Sequence, residues 1–127
     1  MANGRMPLSI EGEEKLITIM SELELNEKRP EALRLAFVKG IASLETPPEK
    51  KERKTRFVIP DGVVARGDDY ILYKHMIIEK VGQPLDAKTV DDYMLRYIEE
   101  GLEMMATEIE SLSNLDNYLL FLINKHS

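Results

Sequence analysis

At 127 residues the chain has the length of one domain spanning residues 1–127, and it can bury about two-thirds of its unfolded surface without a disulfide or metal staple. It has no cysteine, which excludes disulfides, thiolate nucleophiles, iron–sulfur ligation and cysteine-containing zinc sites and suits a reducing compartment. The net charge of −6 is uneven: residues 1–66 hold 12 Lys/Arg against 11 Asp/Glu, residues 67–127 hold 5 against 12, which disfavours a protein that coats nucleic acid over its whole surface but leaves room for a local basic patch.

No apolar run of about 18 residues occurs, and no apolar signal segment opens the chain. A cytoplasmic protein without membrane contact is therefore expected. Ser9 predicts a helix cap, followed by Glu11, Glu13 and Glu14 where negative charge favours a helix start. Leu16, Ile17, Met20 and Leu23 then recur at helical spacing and predict one inward face. Pro30 suits the first turn of a second helix reaching about Leu44, with Leu33, Ala36, Phe37, Gly40, Ile41 and Leu44 turned inward. A glycine at position 40 costs about 1 kcal/mol in a helix interior relative to alanine, which predicts close approach of a neighbouring helix.

Residues 45–56 hold two prolines and the densest basic run, and read as a solvated loop. Phe57–Pro60 and Val63–Ala65 could form a short hairpin around Asp61-Gly62, or an irregular loop. The helical period returns at Asp68 and Asp69, passes through Ile71, Lys74, Ile77, Ile78 and Val81, and stops at Gly82. Val90, Met94, Tyr97, Ile98, Leu102, Met105, Ile109 and Leu112 mark the longest helix. Leu115, Tyr118, Leu119 and Leu122 continue it or form a fifth helix. The unbroken apolar run Tyr118–Ile123 predicts burial against a second subunit or in the centre of the core. The fold class that follows is all-α, a bundle of four to five helices with a basic loop between the second and third.

The catalytic inventory is short. His75 and His126 are the two histidines and have no metal-ligand spacing. Glu99 and Glu103 stand four apart in a helix crowded with carboxylates, which reads as a solvated face. Phosphate-binding glycine motifs and a nucleophile elbow are absent. No catalytic residue, metal or cofactor is expected. The functional candidate is the basic run: Lys50, Lys51, Arg53, Lys54 and Arg56 place five cations within seven positions, where each could neutralise a DNA phosphate. Lys28, Arg29, Arg34 and Lys39 could extend this patch if the outer face of the second helix lies beside the loop, and Arg34 is near enough to the helix start to join a phosphate site there.

Three stretches carry a family resemblance: Lys28–Ala36 (KRPEALRLA), Gly67–Leu72 (GDDYIL) and Tyr97–Met105 (YIEEGLEMM). With the first helix and the helix ending at Leu44, they resemble the DndE family, the small component of bacterial DNA phosphorothioation systems, over about two-thirds of the chain. The resemblance implies a helical protein related to ribbon-helix-helix folds, a homotetramer, and association with the other DNA sulfur modification proteins, which would perform the chemistry. It also implies binding of duplex DNA, nicked duplex in particular, through surface lysines, for which Lys50, Lys51 and Lys54 are the nearest candidates. Two alternatives stand beside it. One is an adaptor with protein contacts only; the other is a ribbon-helix-helix regulator, which needs a strand before the first helix, where Arg5–Ile10 is the candidate.

Overall fold

Among the described residues, two short strands and four helices follow in the order β1 (Met6–Ser9), α1 (Ile10–Glu22), α2 (Arg29–Ser43), β2 (Thr55–Ile59), α3 (Asp68–Val81) and α4 (Ala87–His126). The structure, a computed structural model, describes residues 6–60 and 62–126, with side chains as far as Leu112. The chain is mostly helical, but the expected all-α class needs correction because β1 and β2 form a two-stranded sheet.

Of the two readings offered around Asp61, itself outside the described residues, a hairpin or an irregular loop, the sheet excludes the hairpin. Thr55–Ile59 does not fold back on Val63–Ala65; it pairs antiparallel with Met6–Ser9, Met6 opposite Ile59 and Leu8 opposite Phe57. Burial explains the choice. Met6 and Leu8 alternate inward around exposed Pro7, and with Ile59 they join the core cluster. Val64 and Ala65 reach the same core from a turn, in which the Val63 N–H donates to the Pro60 carbonyl.

Ser9 ends β1 and caps α1: its hydroxyl accepts from the Gly12 N–H at 2.8 Å. The buried face of α1 is Gly12, Leu16 and Ile19, so the expected stripe is rotated; Ile17 and Leu23 are exposed. α1 carries apolar residues on two sides, and packing against α4 selects the side that holds Gly12.

Helix α2 buries Leu33, Ala36, Phe37, Gly40 and Ile41 as the spacing predicts, together with Ala32. Its principal partner is the middle of α4. A methyl group on Gly40 would overlap the backbone of Tyr97, and one on Gly101 would overlap the carbonyl of Ala36. The two helices thus cross backbone to backbone through small residues, which is why a glycine sits in each helix interior.

Helix α3 starts at Asp68 and ends at Gly82, which is left-handed at φ 83° and donates to the Ile78 carbonyl. It buries Tyr70 and Ile77 and stacks Tyr73 on Phe37 with ring centroids 4.5 Å apart, while Ile71 faces outward. Helix α4 is continuous over 40 residues, so the segment after Ser113 extends it rather than forming a fifth helix. Its core stripe is Val90, Met94, Tyr97, Ile98 and Leu102, with Met105 and Ile109 partly buried and Leu112 exposed. The side chains of Tyr118–Ile123, expected to meet a partner, lie outside the described residues. Among the described residues, no helix is long and apolar enough to cross a membrane.

Candidate nucleic-acid interface

The basic run belongs to a strap that leaves α2 at Leu44, lies over the first half of α4 and enters β2. Its ends are pinned by backbone. The Leu44 carbonyl accepts from Lys80 Nζ at 3.2 Å, and the Lys54 carbonyl accepts from the Ile10 N–H at 3.0 Å. Between the pins the Pro48 carbonyl accepts from Arg96 Nη1 at 3.3 Å. Strap, β1 and α4 enclose an open cleft of about 820 Å³, with Glu49–Arg53 on one wall, Asp91, Asp92, Arg96, Glu99 and Glu100 on the other, and Pro7 and Ser9 at its base.

The strap does not behave as a free basic loop. Lys51 Nζ pairs with Glu100 Oε1 at 3.0 Å, and Arg53 Nη1 pairs with Glu99 Oε2 at 3.3 Å. Arg56 stands in β2 rather than in the loop, and pairs with Glu13 of α1 at 2.8 Å. Lys50 and Lys54 are exposed and form no ion pair among the described residues. Three of the five clustered cations therefore spend charge on internal carboxylates. Each such partly exposed pair stabilises by about 0–1 kcal/mol, so these contacts orient the strap more than they hold the fold.

The remaining cations are dispersed, which corrects the expected patch. Arg34 points away from the strap, its Nε donating to the Val64 carbonyl at 2.9 Å. Arg29 lies over the Phe57 ring at 4.5 Å, and Lys39 pairs with Glu108. These three cations have separate partners, on the Val64 loop, on β2 and on α4, and do not extend a single surface.

Glu99 is the residue that the sequence hid. Instead of lying on a solvated face, it accepts from the Ser9 N–H at 2.9 Å and the Ser9 hydroxyl at 2.7 Å, and also meets Arg53. One carboxylate thereby ties the end of β1, the cap of α1 and the strap to α4. Ser9 and Glu99 are 90 positions apart, and no local signal distinguishes this glutamate from Glu103, which is exposed. Arg96 is the second unforeseen member: it stacks on Tyr93 at 4.3 Å, pairs with Asp92 and holds the strap by its Pro48 contact, while its Nε is buried without a hydrogen bond among the described residues.

Asp91 is nearly buried and accepts from the Tyr70 hydroxyl at 3.1 Å. At the start of α4 the hydroxyl and N–H of Thr89 hold the Asp86 carboxyl below its ordinary range, as a helix cap does. His75 is exposed on α3. Among the described residues, no group of three or more His, Asp or Glu side chains is placed to hold a metal ion. Comparison with protein-family models, with curated proteins and with solved structures finds no match to this chain.

Proposed function

We propose that the chain is a non-catalytic, cytoplasmic, DNA-binding accessory subunit of a DNA sulfur modification system, DndE-like, and active as a homotetramer. One observation carries the reading. Two of the stretches that bear the resemblance, Lys28–Ala36 and Tyr97–Met105, meet each other at the closest helix crossing, Ala36 against Gly101. Those two stretches supply buried residues to the crossing, Ala36 from one and Gly101 from the other, while in the third, Gly67–Leu72, Tyr70 alone is buried. The placement of β1 directly before α1 and α2 supports kinship with ribbon-helix-helix folds, although β1 pairs within its own chain through β2. A cysteine-free subunit leaves the sulfur chemistry to partner proteins, the other components of the modification system.

DNA contact falls to Lys50 and Lys54, the exposed cations of the strap, with Lys51, Arg53 and Arg56 in reserve behind their carboxylates. Backbone contacts of this kind give affinity that is salt-dependent and nearly indifferent to sequence. Titration of the chain against nicked and intact duplex at two salt concentrations tests the proposal. Binding that weakens with salt, and weakens about equally on all sequences in K50S/K54S, supports it. A specific observation favours a second reading, the protein-only adaptor: the ion pairs already neutralise much of the basic run. Absence of binding to either duplex at low salt selects the adaptor.

A further inference from the structure

We infer that the strap is a self-masked polyanion site, in which Glu99 and Glu100 of α4 occupy the cations that a DNA backbone would take. The inference rests on the DNA-binding reading and adds its regulation. Lys51 and Arg53 use on these carboxylates the same charged donors that grip phosphate oxygens. The Lys51 pair is the looser of the two: its side chain is 52% exposed against 26% for Arg53, and an exposed pair exchanges readily with solvent ions.

The strap is also built to lift. From Glu49 to Lys54 it has no helix or strand, and its one backbone-to-backbone hydrogen bond is at its far end, where the Lys54 carbonyl meets Ile10. None of its residues from Glu49 to Lys54 belongs to the buried core. Both of its ends stay anchored, at Leu44 and in β2. A released strap would present Lys50, Lys51, Arg53 and Lys54 together and move them off the acidic wall of α4, whose carboxylates would repel DNA. Masking keeps an acidic protein from binding polyanions weakly everywhere. A partner that outcompetes the two carboxylates adds Lys51 and Arg53 to the contacts that Lys50 and Lys54 make.

The test uses the full chain with E99Q/E100Q, with E100Q alone to keep the Ser9–Glu99 contacts, and with E103Q as control. E103Q removes the same single charge as E100Q but no strap contact, so it separates unmasking from a general change of charge. Duplex DNA at about 0.15 M salt should bind about fivefold more tightly for each cation freed, and the log–log salt slope should steepen by about one per cation. Trypsin cleavage within Lys50–Lys54 should accelerate by up to about fivefold per lost pair, while E103Q follows the parent in both assays. If the parent binds DNA and E100Q and E99Q/E100Q bind it no better, masking is overturned and the DNA reading stands. If trypsin opens the variants faster yet none of the proteins binds DNA, the DNA reading falls, and with it the ligand assigned to the strap.

Discussion

The crossing of α2 and α4 makes Gly101→Ala the sharpest test of the fold. In an isolated helix the change should help, by about 1 kcal/mol of propensity. Here the new methyl would enter the space held by the Ala36 carbonyl, a backbone atom that cannot rotate aside as a long side chain could. The helices must separate or slide, and overpacking of a tight core contact costs about 1–3 kcal/mol or more. Separation would also loosen Phe37, Tyr97 and Ile98, all wholly buried beside the crossing. Subtracting the propensity gain leaves a net loss of up to about 2 kcal/mol or more, and a loss of about 2 kcal/mol is roughly 6–10 °C in Tm for a domain of this size. Urea and thermal melts followed by helical circular dichroism measure it. Gly40→Ala should cost a similar amount against Tyr97, and the double variant should lose less than the sum, since one displacement relieves both overlaps. A Gly101→Ala protein that melts at or above the parent would refute the reasoning, because propensity would then outweigh a contact that is not close.

Ser9→Ala removes the α1 cap and one of two Ser9 bonds to Glu99, and should cost about 1–2 kcal/mol in urea denaturation, with DNA binding read separately. The Tyr97 hydroxyl is buried without a hydrogen bond among the described residues, so Tyr97→Phe should leave stability unchanged or raise it by up to about 1 kcal/mol. Burial pushes the hydroxyls of Tyr97 and Tyr73 above the ordinary tyrosine range, so the unfolded chain releases these protons first. Stability is then fully present below pH of about 10 and falls as the pH rises through the folded values; tyrosinate absorbance should lag in the native protein, and Tyr97→Phe should blunt the loss. Light scattering should give a mass about four times the 14.6 kDa of one chain, and a monomer at micromolar concentration would remove the tetramer from the proposal.

The helices could be read from their ends. Ser9, Pro30, Asp68 and Gly82 each mark a boundary through a local requirement: a side-chain acceptor, a missing N–H, a charge near the dipole, a left-handed residue. Gly40 announced a close neighbour because nothing local rewards a glycine there. Both strands overlap stretches the sequence offered, Arg5–Ile10 and Phe57–Pro60, but their pairing was not legible, because β2 finds its partner near the other end of the first half of the chain, and period-two alternation over a few residues does not say which strand it will join. The rotated face of α1 failed for a related reason: with Leu16, Ile17, Ile19 and Met20 all apolar, two faces compete, and Gly12 decides by letting the Glu99 carboxylate and Leu8 come close.

Charge was harder to place than hydrophobicity. A run of cations at Lys50–Arg56 and a run of carboxylates on α4 each read as solvated when taken alone, and the sequence holds no statement of their distance. Folding brings them together because β2 must pair with β1, which pins Lys54 beside Ile10, and because Ser9 must find an acceptor, which pins Glu99 beside β1. The strap between those pins can lie only across α4, so Arg53 and Lys51 meet Glu99 and Glu100 as a consequence of sheet register rather than of charge alone. A change that shifts the β1–β2 register would therefore unmask the strap even with every charge intact. On the proposed masking, the availability of the basic run is set from the sheet.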